Sequence, residues 1–314
     1  MEKIKRIFII IFLALHPALY AKEAKNWIYV VFNTLDKLKL SDLQYNLKPY
    51  SIYCITGLKL KANGSIFIPI SYVSMIKKKL DSKIKAGSKI YPMIIFASSR
   101  EGKAFLKNKN SWLLFKQNII TFLIQNSFSG IHLDFEHLPS GYSTDYKDFL
   151  KYLYPEFLKN QLNLNLAIYP PLDFPSKKNG FHDIQKLSPY TSGIILMLYD
   201  YYGPFTRKKG PVSSLSWIRK NLSYSLRYLS SKKIWLGSPL YSYSYKGYKR
   251  SILSQKQSAK LLKKYPFKRH SSGLLFYQDK ENLIFHPDNF FKSKTLEIQK
   301  ELDLAGIAYW RAGF

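Results

Sequence analysis

The chain has 314 residues, 46% of them hydrophobic and 22% charged, which is ordinary globular composition and excludes a disordered or collagen-like polymer. Cys54 is the one cysteine, so neither an internal disulfide framework nor a cysteine-cluster metal site is available. Lys and Arg number 49 against 20 Asp and Glu, a net charge of +29. Two readings of that charge stand side by side. One is the lysine bias of an AT-rich genome. The other is an anionic partner such as a cell-wall polymer or a membrane surface. The basic residues are spread along the whole chain with no nucleic-acid module among them, so no nucleic-acid partner is expected.

Residues 1–21 read as an export signal, with an N-terminal core helix or an uncleaved anchor as the alternative. Lys3, Lys5 and Arg6 precede an apolar run over 7–15, His16 and Pro17 break it, and Ala21 offers a small residue for cleavage. No later stretch reaches the roughly 18 apolar residues of a membrane span. Export to the periplasm, cell envelope or exterior is the expectation.

From residue 22 onward, short β-rich runs alternate with amphipathic stretches. Strands are predicted over 27–32, 51–56, 90–97, 130–136, 162–169, 193–200, 233–240 and 306–310. Several are near-continuous apolar runs, as strands covered on both faces must be, for example Ile194-Ile195-Leu196-Met197-Leu198. Helices are predicted over 71–84, 112–125, 144–158, 214–229 and 254–264. Eight strands with helices between most of them predict a parallel (β/α)₈ barrel occupying 22–314; a doubly wound open sheet is the alternative that periodicity leaves open. Asn63-Gly64 marks a hairpin after the second strand. An insertion over about 245–290, holding a second hairpin, is expected to wall one side of a cleft at the strand C-termini.

The chemistry concentrates in Gly130-Ile131-His132-Leu133-Asp134-Phe135-Glu136. Strand alternation sends Ile131, Leu133 and Phe135 outward to the helices. It sends His132, Asp134 and Glu136 into the barrel, with Glu136 nearest the mouth. Adjacent carboxyls in a buried setting push one pKa up, as a general acid requires. An exposed strand with solvated charges is the plainer alternative for this heptapeptide taken alone. The six histidines form no metal-ligand spacing and no glycine-rich phosphate loop is present, so no metal or cofactor is expected. Tyr241, Tyr243 and Tyr245 alternate after the seventh strand, on one face that either lines a sugar cleft or packs in the core.

These motifs resemble glycoside hydrolase family 18. The family's fourth strand carries Asp-x-x-Asp-x-Asp-x-Glu, and 129–136 keep the last two acids as Asp134 and Glu136 while Ser129 and His132 replace the first two. Met197-Leu198-Tyr199-Asp200 resembles the sixth strand, 233–241 the seventh, and Gly306-Ile307-Ala308-Tyr309-Trp310-Arg311 the eighth. Gly210-Pro211-Val212 and Trp217 are similar to the bacterial spore-germination and cell-wall hydrolase type. The resemblance runs from about Trp27 to Phe314. It implies an exported, monomeric glycosidase acting on N-acetylglucosamine-containing glycans, either peptidoglycan fragments or chitin-like oligosaccharides, by retaining, substrate-assisted hydrolysis.

In that scheme Glu136 is the acid, Asp134 orients the acetamido group and Tyr199 hydrogen-bonds it. Asp200, Trp310, Met197, His132 and Tyr241 contact the sugar. A lectin-like barrel with weak turnover is the alternative. His132 is the main departure from the family pattern, and two roles are expected for it: a neutral imidazole donating a hydrogen bond to Asp134, or a protonated one holding Asp134 ionised.

Overall fold

A computed structural model describes residues 25–45, 48–174, 179–203 and 206–314. The export signal expected over 1–21 lies outside the described residues. Eight parallel strands close on themselves: β1 (Lys25–Val30), β2 (Ile52–Leu60), β3 (Lys89–Phe96), β4 (Gly130–Leu133), β5 (Asn163–Ile168), β6 (Gly193–Leu196), β7 (Ile234–Pro239) and β8 (Gly306–Trp310). Each pairs with its sequence neighbour, and β1 pairs with both β8 and β2, so the barrel has no free edge in its main ring. All eight predicted strands are present, and the open-sheet alternative is excluded by this closure.

Several elements start or stop elsewhere than the sequence indicates: β2 runs on to Leu60, β6 ends at Leu196 rather than at residue 200, and two more bear on the site. β4 ends at Leu133, although Asp134 N still donates to Ile94 O at 3.0 Å, so the alternation carries on into the catalytic-type residues. The insertion begins at Tyr241, four residues early. It is a five-stranded antiparallel sheet that includes Tyr241–Lys246, Lys249–Ser254, Leu275–Gln278 and Asn282–His286. Both hairpins form as expected, with Lys59 opposite Phe67 and Phe276 opposite Phe285.

The expected helices appear as Tyr72–Lys85, Lys109–Gln125, Ser143–Lys159, Leu215–Ser225 and Gln255–Lys264. Two more helices of good length are not foreseen by the periodicity. Ser99–Lys107 is started by Ser98, whose side chain accepts from Glu101 N. Asn289–Glu301 is started by Asp288, which accepts from Phe291 N.

Gly130 opens β4 at φ +144°, and a Cβ there would sit 2.0 Å from Asn163 O. Only glycine lets β4 lie this close to β5, which places the following residues in register. Ile131, Leu133 and Phe135 then face the helices, Phe135 stacking on Phe96 with ring centroids 3.8 Å apart. The opposite face fills the barrel with Trp27, Tyr29, Cys54, Tyr91, Met93, Ile195 and Trp235.

His132 sits among these rings, fully buried, 5.2 Å from Trp27 centroid to centroid. Its Nε2 is 2.9 Å from the Tyr29 hydroxyl, and its Nδ1 has no partner. This corrects both expectations for His132. It hydrogen-bonds Tyr29 rather than Asp134, and it cannot reach a substrate because the barrel core covers it. Burial pushes its pKa down to about 3, so it is neutral at ordinary pH.

Removing the imidazole strands a buried tyrosine hydroxyl, at a cost of about 1–3 kcal/mol. His132→Leu is therefore expected to destabilise the fold, and Tyr29→Phe in the same chain to recover part of the loss. A double-mutant cycle by denaturant unfolding should give a coupling of about 1 kcal/mol; strict additivity would mean that the contact carries no net stability.

Burial also holds His182 and His286 down to about 4. Each of the three histidines stays neutral in the fold while its unfolded form, near 6.5, takes up a proton. Their stabilising effect is complete above pH 6.5 and is lost as pH falls toward 4. Asp134, whose carboxyl is raised, contributes with the opposite sign, but it is one group against three. Unfolding free energy should thus rise from pH 4.5 to 6.5 with net proton uptake on unfolding. The limiting slope is about 1.4 kcal/mol per pH unit for each histidine. A flat profile would place these histidines in contact with water.

Candidate active site

Asp134 and Glu136 meet at the C-terminal mouth of β4. Asp134 is half-buried, and its Oδ1 is shut off from solvent without a hydrogen-bond partner. Its carboxyl hydrogen-bonds Glu136 and is raised well above the usual carboxylate range, first by burial and then by the facing Glu136. Of two carboxyls in hydrogen-bond contact, each disfavours ionisation of the other, which favours a proton held between them. The Glu136 side chain is 26% exposed and opens to solvent. The pair thus has one oxygen shut off from solvent on Asp134 and an open carboxyl on Glu136, an asymmetry that suits acid catalysis.

Glu136 has further neighbours that the sequence reading missed. Tyr169, one residue past the end of β5, donates its hydroxyl to Glu136 Oε2 at 3.1 Å. His137 Nε2 lies 3.3 Å from the same oxygen. His182 ties these segments together: its Nε2 donates to Phe135 O at 2.8 Å and its Nδ1 accepts from Tyr169 N at 3.0 Å. Tyr169 could have been found, because it closes a predicted strand at the barrel mouth. No sequence signal marks His182, which comes from an irregular segment.

Tyr199 follows β6 and is buried. Its hydroxyl pKa is raised by burial, then by Asp134, Glu136 and Asp200, so it remains a neutral donor across ordinary pH. Gly237 makes room for it: a Cβ there would be 3.2 Å from Tyr199 Cε1 and 2.4 Å from Leu196 O. Trp310 ends β8, partly exposed, its ring nearly parallel to Tyr199 at 6.5 Å and edge-on to Tyr29 at 5.0 Å. Asp200 takes a left-handed backbone at φ +58° and is partly exposed.

The insertion reaches the site through Asp200. Tyr241 and Tyr243 both donate their hydroxyls to Asp200 Oδ1. Tyr241 is 3% exposed, so its expected direct contact with a sugar is corrected to support of Asp200. Met197 is 6% exposed and packs in the larger apolar cluster, leaving it little surface for a ligand. The structure therefore brings Asp134, Glu136, Tyr199, Asp200 and Trp310 to one mouth of the barrel and keeps His132, Tyr241 and Met197 behind it. Among the described residues, no group of three His, Cys, Asp or Glu side chains is arranged to hold a metal ion.

Residues 59–314 match the model of the glycosyl hydrolases family 18. The chain is 23% identical over 222 residues to the uncharacterized glycosylase YvbX of Bacillus subtilis, covering 66% of this chain and 64% of that protein. It is 23% identical over 245 residues to the cortical fragment-lytic enzyme of the same organism, covering 70% of this chain and 57% of that protein. The chain thus spans less than two thirds of the length of these curated relatives. Its fold is similar to that of the spore cortex-lytic enzyme SleL of Bacillus megaterium, at TM-score 0.78, 22% identity and coverage of 93% and 71%. It is similar also to a class V chitinase of Pseudomonas fluorescens, at TM-score 0.80, 17% identity and coverage of 93% and 96%. The family match covers most of the chain and includes every residue gathered at the barrel mouth, and on that ground the chain belongs to family 18 of the glycosyl hydrolases.

Proposed function

We propose that this chain is an exported glycosidase that hydrolyses N-acetylglucosamine-containing glycans, peptidoglycan fragments or chitin-like oligosaccharides, with retention and with the substrate's own acetamido group as nucleophile. The observation that carries this reading is the carboxyl pair: Asp134 hydrogen-bonded to Glu136 and raised by it, with Glu136 open to the cleft. The likeness to a cortical fragment-lytic enzyme and to chitinases supports the substrate class.

Glu136 gives the shared proton to the glycosidic oxygen as the bond breaks. Asp134 is then an ionised carboxylate, half-buried and facing the positive charge developing on the acetamido nitrogen. The acetamido oxygen bonds to the anomeric carbon, giving an oxazolinium ion. Tyr199 donates its hydroxyl to that group and Trp310 offers the sugar a flat apolar face. Tyr169 keeps the Glu136 carboxyl aimed at the leaving oxygen. Water then opens the ring on the same face, with Glu136 as base, and the proton returns to the pair. The protein supplies an acid and an electrostatic clamp, while the nucleophile arrives already positioned on the substrate.

The anionic cell-wall surroundings of such a substrate agree with the strongly basic chain. Export rests on the signal-like residues 1–21. Among the described residues, no helix is long and apolar enough to cross a membrane.

Glu136→Gln should lower kcat on N-acetylglucosaminyl substrates by about 10²–10⁴-fold while sugar affinity and thermal stability stay close to wild type. Wild-type turnover by the variant would take Glu136 out of the mechanism. Sugar binding by a wild-type protein that shows no turnover would instead favour the lectin-like barrel. Replacing the acetamido group of the substrate by hydroxyl should abolish cleavage, and a thiazoline mimic of the oxazolinium should inhibit. Equal cleavage of the plain glucoside would require a carboxylate nucleophile.

A further inference from the structure

A concave basic surface lies next to the candidate site and takes no part in the chemistry above. A cavity of about 600 Å³ is lined by Thr206, Arg207, Lys208, Tyr245, Tyr248 and Arg250. The loop after β6 forms one side and the first hairpin of the insertion forms the other. Its floor is built by hydrogen bonds. Tyr245 donates its hydroxyl to Gly210 O at 2.9 Å. Arg250 Nη1 donates to Tyr202 O at 3.0 Å, and its guanidinium lies 5.1 Å over the Tyr243 ring. Tyr243 in turn donates to Asp200, so two side-chain contacts connect the cavity to the site.

The charges of this cavity are unmatched. The six lining residues include three cations and no carboxylate. Elsewhere Arg219 is paired bidentately with Glu301, and Arg269 with Asp288. Among the described residues, no carboxylate pairs with Arg207, Lys208 or Arg250. Lysine bias does not account for two arginines here, because arginine is scarce beside lysine along this chain. Tyr248 stands 94% exposed at the rim with the Lys209 ammonium 5.0 Å over its ring. An exposed aromatic face beside unpaired guanidinium and ammonium groups suits a sugar ring that carries an anion: the ring lies on the tyrosine and the anion takes the charged donors. A neutral chitin-type chain can accept hydrogen bonds from them but has no anion to match their charge.

We propose that this cavity is a subsite for the carboxylate of an acidic amino sugar, which makes the preferred substrate a carboxylated glycan strand rather than neutral chitin. The choice of sugar rests on the hydrolase reading above; the anion site stands on its own residues.

The test is equilibrium binding to the full chain carrying Glu136→Gln, so that no ligand is consumed. The two probes are N-acetylglucosamine–N-acetylmuramic acid oligosaccharides with free carboxylates and the same oligosaccharides after methylamidation. The carboxylated form should bind about tenfold more tightly, and 0.5 M salt should shrink that preference. Adding Arg207→Gln and Lys208→Gln, both at exposed positions, should cut the preference to about threefold or less. Equal affinity for the two probes would overturn the proposal, as would a full preference surviving in the doubly substituted chain. Displacement of the carboxylated probe by polyglycerol phosphate at a tenth of its concentration would reassign the subsite to phosphate and overturn the carboxylate assignment. Turnover by the unsubstituted chain is measured in parallel. Its absence on both probes would sink the hydrolase reading and leave the binding comparison to decide the subsite.

Discussion

The contact between two carboxyls, Asp134 and Glu136, organises this site. Asp134 Oδ1 has no hydrogen-bond partner to offset a negative charge, and the carboxyl that Asp134 bonds would also be negative. An ionised carboxylate with an unpartnered oxygen is expensive, so a proton on the pair is favoured until a positive charge arrives. The surroundings fit that requirement. Trp27, Tyr29, Cys54, Tyr91 and Trp235 pack the barrel below it, and His132 is kept neutral by the same burial. The interior therefore offers Asp134 no counter-charge. The cation formed in the proposed reaction is the one partner for which the pocket is charged correctly.

The rest of the architecture serves to hold that pair open on one side only. Glu136 meets solvent, and Tyr169 and His137 touch its carboxyl while His182 anchors the backbone on either side. The insertion does not merely cover the mouth. Its first strand sends two tyrosine hydroxyls to Asp200, so the position of an irregular loop residue is set by an antiparallel strand with its own regular register. The same hairpin carries Arg250 and Tyr248 to the basic cavity beside the cleft.

The barrel and the carboxyl pair are legible in the sequence because both depend on local period. Apolar runs mark strands buried on two faces, and the alternation of Ile131, Leu133 and Phe135 against His132, Asp134 and Glu136 holds in the structure. What the sequence hides is long-range. A shared strand face points His132 at Asp134, yet the stronger claim on it comes from Tyr29, 103 residues away, across the barrel. Tyr241 sits on a correctly read alternation, but which face meets Asp200 depends on how the insertion docks. His182 and the helix Asn289–Glu301 give no sign because an irregular segment and the tail of an insertion carry no period to read.

The proposed chemistry depends on the acetamido group, held against Asp134, attacking its own anomeric carbon. The stereochemistry of the first product reports that step directly. Proton NMR of a β-linked N-acetylglucosaminyl oligosaccharide, recorded within the first minutes of cleavage, should show the β-anomer ahead of mutarotation. Early appearance of the α-anomer would mean that water attacks the opposite face, and it would contradict the role of the carboxyl pair as a clamp for the oxazolinium.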